Sequence, residues 1–238
     1  MKLVQKFIFS LAFAALIIGC AEAPKSDEAE VEEAVEIEEA PAEAVAYNVN
    51  TSSSKVLWVG SKPIGDNHNG TISISEGAFQ IKDGNIEGGS ITIDMNTLAD
   101  LDIEDEESRA KLEGHLKSGD FFDVENFPTA KFELSGVAPY EAPAAEEGAE
   151  EATEENPYKI ENPTHTITGN LTLHGETKSI TFPAEVKMEG NMMMAKARFN
   201  INRADWGVSY GADESLGDKM ISKTVNVGFD LEASAGEM

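Results

Sequence analysis

Apolar and polar residues alternate along most of this chain with a period of two, the signature of half-buried β-strands. Val56 and Trp58 point one way in KVLWVG, Ile72 and Ile74 repeat the pattern, and Phe79 and Ile81 follow a turn read at Glu76-Gly77. Asp83-Gly84 is a hairpin-type turn, beyond which Ile91, Ile93 and Met95 alternate with Ser90, Thr92 and Asp94. Farther on, Ile167, Leu171 and Leu173 alternate with Thr166, Thr168, Asn170 and Thr172, and Gly169 marks a bend or a close approach. A turn at Gly175-Glu176 precedes Ile180, Phe182, Ala184, Val186 and Met188. Met192 and Met194 lead into Ala195, Ala197, Phe199 and Ile201, and Val225, Val227, Phe229 and Leu231 end the series.

One stretch breaks the alternation. His115 to Gly136 (HLKSGDFFDVENFPTAKFELSG) crowds Phe121, Phe122, Phe127 and Phe132 among acidic residues, with no helical period through Pro128. Before it, Asp105 to Ser118 has acidic residues in its first turn and Leu112 and Leu116 four apart, which predicts a short helix stopped by Gly119. After it, Pro128 fixes its own φ and biases Phe127 towards an extended conformation, so a strand begins at Thr129. The aromatic hinge has two readings. Its phenylalanines plug the core, as most do, or they border a cavity for an apolar ligand.

Strands with one apolar face, and too few helices to cover a sheet, must close on themselves or stack as two sheets. The predicted fold is all-β, an extended antiparallel barrel of roughly eight strands with one short helix. A barrel of that size holds one small ligand or fills itself with side chains.

Three motifs stand in order on this pattern: HL-x-S-x-DFFDV-x-x-FP-x-x-x-F in the hinge, G-x-LT-x-HG-x-T-K from Gly169, and NR-x-D-W-G from Asn202. With them the chain resembles the YceI family over approximately Asn48 to Ala233, apart from an acidic loop. The resemblance implies a lipocalin-like barrel, secreted, whose apolar lumen binds a long isoprenoid such as a polyprenyl phosphate or a quinone-like chain. The candidates for its lumen and mouth are Trp58, Ile72, Ile74, Phe79, Ile91, Ile93, His115, Phe121, Phe122, Phe127, Phe132, Leu171, Leu173, Phe182, Phe199, Arg203 and Trp206. The isoprenoid is the one ligand expected, bound non-covalently, with no cofactor.

Composition changes the picture at the ends of the chain. Residues 1–19 run from Lys2 and Lys6 through an apolar stretch, Phe7 to Ile18, to Gly19, the order of a secretory signal and short for a membrane span. Ile17-Ile18-Gly19-Cys20 resembles the lipobox of bacterial lipoproteins, and Cys20, the only cysteine, is the expected site of lipid attachment. No disulfide is then available within the chain. Residues 20–46 are rich in Glu, Ala and Pro and have too little apolar area to offset chain entropy, so they read as a disordered tether. The barrel domain is expected at 47–235, with residues 138–157 an acidic loop insertion of solvated charge.

The formal net charge of −26 argues against nucleic acid and against direct binding to anionic headgroups. Four histidines, His68, His115, His165 and His174, show no metal-ligand spacing, and no metal site is expected. His115 caps or packs the helix end, or touches a ligand head. Arg203 and Asp205 share a face by alternation, so an ion pair is expected; Arg203 either ties a turn or neutralises a phosphate head at the mouth. No nucleophile elbow, P-loop, dinucleotide fingerprint or zinc-protease motif occurs, and no enzyme is expected. The chain thus reads as a lipid-anchored cell-envelope protein that stores or carries an isoprenoid, with the outer membrane favoured because Ala21, not Asp, follows Cys20. Periplasmic or surface exposure and the oligomeric state, a dimer included, stay open. The rival reading is a stress-related interaction scaffold whose barrel is filled and has no ligand.

Overall fold

Ten strands and one α-helix make up the computed structural model, which describes residues 23–62, 67–142 and 156–236. In chain order they are β1 (Glu30–Glu33), β2 (Val45–Val49), β3 (Lys55–Gly60), β4 (His68–Lys82), β5 (Asn85–Asp100), α1 (Glu106–Lys117), β6 (Thr129–Pro139), β7 (His165–Leu173), β8 (Glu176–Glu189), β9 (Met192–Asn202) and β10 (Thr224–Ala235). Short 3-10 turns occupy Arg203–Trp206 and Glu214–Lys219 between β9 and β10. The predicted leader and Cys20 lie outside the described residues, as do residues 143–155 of the acidic loop.

Strands β3 to β10 pair in sequence, each antiparallel to the next, and β10 returns to β3. The result is a closed barrel of eight positions. β2 shares the position of β3: it pairs with β10 and β4 beyond the point where β3 ends. Asp83-Gly84 is a tight hairpin with both residues at positive φ (52° and 85°), as the turn prediction requires. At Gly169 the close approach is real, because an added Cβ would run into the Phe132 ring of the neighbouring strand.

Two details of phase differ from the sequence reading. Glu76-Gly77 is not a turn; β4 runs unbroken through it, with a register shift against β5 between Ile74 and Glu76. The bulge absorbs the odd spacing between Ile74 and Phe79, so both remain inside on a single strand. On β9 the inward methionine is Met193, 1% exposed, while Met192 is 46% exposed.

The helix forms where predicted. Asp105 caps it by accepting from the Ser108 N–H at 2.8 Å. It ends at Lys117 with Ser118 as its C-cap: the Ser118 N–H turns back to the His115 carbonyl at 3.1 Å and its hydroxyl donates to the same oxygen. Since β5 ends and β6 begins at the same end of the barrel, the helix and the hinge lie across that mouth.

The largest departure is the acidic segment. Composition makes residues 20–46 a solvated tether, but from Ala23 onward the chain lies along the barrel wall. β8 and β9 pair only over Ala184–Glu189 and Met192–Ala197, and part above that. Into the gap goes the N-terminal segment: β1 pairs with Lys178 to Thr181 of β8, and Glu28 bridges Asn200 of β9. Backbone ladder bonds and outward-facing asparagines hold it, neither of which depends on apolar area. Asn170 exchanges two bonds with the Val35 backbone, at 3.0 and 2.7 Å. Asn200 donates to the Pro24 carbonyl, and Asn226 donates to the Tyr158 carbonyl and to Asn200. Ion pairs of Glu33 with Lys178 and Asp27 with Lys159 are exposed and contribute little.

Candidate functional site

The inward residues do not leave one long channel. An apolar chamber of about 160 Å³ lies under the helix, and a second of about 50 Å³ lies nearer the other end. Between them Phe132, Phe182, Phe199 and Phe229 form a septum. Phe182 and Phe199 stack at 4.1 Å between centroids, and Phe229 lies 6.1 and 6.0 Å from them. Four rings from four strands thus fill the waist of the barrel.

The roof of the upper chamber is built from the two elements that break the strand pattern. Leu112 and Leu116, four apart on α1, face down into it, and Phe121 and Phe122 of the hinge join them. A chamber of this size matches engineered apolar cavities of about 150 Å³ that admit benzene. As folded it holds a ring-sized apolar group.

The hinge both plugs the core and borders a chamber. Phe121 is 5% exposed and packs the core, and it also borders the chamber. Of the other candidates, Trp58, Ile72, Ile93, Phe122, Leu171, Leu173, Phe199 and Arg203 line the upper chamber. Phe79, Ile91, Phe132 and Phe182 line the lower one. Four candidates line neither. Ile74 is packed into the wall at the bulge, 2% exposed. Phe127 lies against His174 at 4.9 Å. Trp206 is sealed in, its indole N–H donating to the Leu171 carbonyl at 3.0 Å. His115 packs edge-on against Phe121 and Tyr210 with Nε2 3.4 Å from Asp120, at the outer side of the hinge.

Arg203 does not pair with Asp205. Alternation ends at Asn202, which caps the following 3-10 turn, and Asp205 accepts from Asn202 instead. The guanidinium is buried and donates to four backbone carbonyls: Ser222 through Nε, Val208 through Nη1, and Tyr210 and Ile221 through Nη2. It lies 5.5 Å from the Phe121 ring centroid. No carboxylate among the described residues neutralises it, and burial pulls its pKa down from the usual arginine value. The turn-tying role is therefore real, and the charge it brings to the chamber wall is left without a counter-ion.

The mouth has a further polar feature that alternation could not reveal. Four buried polar atoms find no hydrogen-bond partner among the described residues: Trp58 Nε1, Ser61 Oγ, Asn67 Oδ1 and Asp100 Oδ2. Trp58 and Ser61 line the upper chamber, and Asn67 adjoins His68, which lines it too. Such atoms are costly to leave unpaired.

Comparison with known proteins agrees with this architecture. A family model described as the YceI-like domain matches residues 47–233. A UPF0312 protein of Pseudomonas putida strain W619 is 30% identical over 149 residues, 57% of this chain and 65% of that protein. A UPF0312 protein of Pseudomonas aeruginosa strain UCBPP-PA14 is 29% identical over 116 residues, 49% of this chain and 47% of that one. The chain thus spans less than two thirds of the length of these relatives. Among solved structures, Burkholderia cenocepacia BcnA superposes with a TM-score of 0.53 at 21% identity, over 78% of this chain and 99% of that one. A polyisoprenoid binding domain from Saccharophagus degradans implicated in plant cell wall breakdown gives 0.53 at 17% identity, over 81% and 99%. At these identities the likeness is one of fold.

Proposed function

Because the chain belongs to the YceI family, we propose that it binds a polyisoprenoid in the upper chamber, for storage or transport and without a chemical step. The observation that carries the reading is the apolar chamber under the helix, with the polar groups of Trp58, Ser61 and Arg203 buried in its wall. Among the described residues the indole N–H of Trp58 and the hydroxyl of Ser61 have no acceptor, and Arg203 donates to backbone carbonyls and to no carboxylate. A chain with a phosphate or quinone-like head offers apolar carbons to the chamber and acceptor oxygens to those donors. Burial of chain carbons contributes about 25 cal/mol per Å² and selects for little beyond shape, so the head supplies specificity. The neighbour from Saccharophagus degradans, described as a polyisoprenoid binding domain, supports the ligand class.

The setting belongs to the same proposal. A leader ending at Cys20 would place the protein in the bacterial envelope, held by acyl chains that each contribute about 0.8 kcal/mol per buried methylene. Because Pro24 is fixed on the barrel, three residues separate it from Cys20, four Cα steps or at most roughly 14 Å of extended chain. The barrel would then sit against the membrane surface, where a lipid passes directly to the mouth.

A second reading has its own observation. The phenylalanine septum and the modest chamber suit a filled barrel that serves as an interaction scaffold. Mass spectrometry of the organic extract from purified protein separates the two, provided that the protein is first incubated with polyprenyl phosphate and with a quinone. A stoichiometric isoprenoid recovered with the protein supports binding. Failure to take up either leaves the scaffold.

A further inference from the structure

His68 opens β4, Asp100 closes β5 and Asp102 follows it, yet the three side chains meet at the rim of the upper chamber. The hairpin ladder brings them together: Gly70 pairs with Asp100, and the Leu101 N–H donates to the Asn69 carbonyl at 2.9 Å. His68 Nδ1 lies 3.0 Å from Asp102 Oδ2 and 3.9 Å from Asp100 Oδ2.

Each carboxylate is oriented by the backbone. Asp100 Oδ1 accepts from the Ile103 N–H at 2.9 Å, and Asp102 Oδ1 accepts from the Asn69 N–H at 2.6 Å. The Asp100 N–H is itself held by Glu113 of α1 at 2.9 Å. Both Oδ2 atoms are thereby turned towards the imidazole. Asp100 is 3% exposed, and its Oδ2 has no hydrogen-bond partner among the described residues. A buried carboxylate oxygen in that position asks for a positive partner.

We propose that His68, Asp100 and Asp102 form a binding site for a divalent transition-metal ion of the zinc or manganese class. A tetrahedral ion with bonds of about 2.0–2.1 Å separates its ligands by roughly 3.3 Å. The distances from His68 Nδ1, 3.0 and 3.9 Å, bracket that value, and all three ligand atoms lie within 4.8 Å of one another, so side-chain adjustment would draw them onto one ion. One imidazole nitrogen with two carboxylates suits zinc or manganese and not the all-oxygen shells of calcium and magnesium. Backbone N–H groups on the second carboxylate oxygens supply the outer support that metal ligands require. Three ligands leave a coordination position for water or for an oxygen of a bound molecule, at the edge of the chamber that His68 also lines. The site stands on its own geometry and does not depend on what the lumen holds.

The competing occupant is a proton shared between the two carboxylates. Calorimetric titration of the full chain with Zn²⁺ distinguishes them, against Asp100→Asn, Asp102→Asn and His68→Ala. One ion per chain is expected, weakened at least about 10-fold in each variant. X-ray absorption should then report nitrogen and oxygen ligands near 2.0–2.2 Å. Absence of a stoichiometric site, or equal affinity in the variants, overturns the assignment, the second outcome placing any bound zinc on the acidic surface. If Asp100→Asn does not fold, His68→Ala at the half-exposed rim decides alone.

Discussion

Asn200 donates a side-chain N–H to the Pro24 carbonyl at 3.0 Å, so a residue on the outer face of β9 fixes the start of the described acidic segment. Its second N–H goes to Glu28 at 3.0 Å, and its carbonyl accepts from Asn226. Wall and strap are thereby one hydrogen-bonded unit along the seam where β8 and β9 part.

Asn200→Ala removes that link and leaves the Pro24 carbonyl unpaired, while Asn226 keeps the Tyr158 and Phe199 carbonyls as acceptors. A loss of about 1–3 kcal/mol is expected in urea denaturation. Hydrogen exchange should quicken at the amides of 27–33, while β4 and β5 keep their protection. Unchanged exchange at 27–33 would show that the β1–β8 ladder alone holds the strap.

The septum sets the capacity of the lumen. Phe182→Ala removes one ring of the stacked pair, joining the two chambers. It should destabilise the barrel by about 3–5 kcal/mol and strengthen binding of an apolar fluorescent probe. If the cost appears but probe binding does not improve, the neighbouring rings have collapsed into the space.

Much of this was legible in the chain. Strand phase, the capped helix at Asp105 and the hairpin at Asp83-Gly84 depend on neighbours in sequence, and local chemistry decides them. The inward faces, and hence most of the chamber lining, followed from the same alternation. What was hidden depends on partners far away. Val31 and Glu33 look like parts of a solvated tether until β8 offers a free edge. Arg203 and Asp205 look paired until a 3-10 turn ends the alternation. His68, Asp100 and Asp102 become neighbours only through the β4–β5 register, which no ligand spacing encodes. The septum, too, is invisible in sequence, since alternation says that Phe132, Phe182, Phe199 and Phe229 point inward and not that they meet.

Arg203 holds four carbonyls that no other described donor reaches from its position. Lysine keeps the charge but has no planar fork, so Arg203→Lys is not conservative here. A loss of about 3–5 kcal/mol is expected, comparable to breaking a buried charged network. Limited proteolysis should locate the loosening at residues 203–223. Loss of isoprenoid uptake in a variant that keeps its unfolding midpoint would instead assign Arg203 mainly to the ligand head.

Asp100 makes stability depend on pH in a direction opposite to most carboxylates. Burial raises its pKa, with the neighbouring Asp102 charge acting in the same sense and the Ile103 N–H opposing. For Asp102, burial is outweighed by bonds from the Asn69 N–H, His68 and Asp100, and its pKa is lowered. The unfolded chain releases the Asp100 proton near pH 3.9, whereas the folded chain keeps it to higher pH. Between those values the unfolded state binds fewer protons, so the Asp100 contribution weakens folding as pH rises. Asp102 contributes the reverse, stability present at higher pH and lost as pH falls through its lowered value. Asp100→Asn isolates the first effect: the amide oxygen still accepts from the Ile103 N–H, and its N–H₂ replaces the shared proton towards Asp102. In metal-free buffer the variant should be more stable than the parent at neutral pH, and the gap should close on acidification through the carboxylate range. Added Zn²⁺ should raise the melting temperature of the parent and not of the variant. A variant less stable than the parent in metal-free buffer at neutral pH would mean that the buried carboxylate is already compensated in the folded chain.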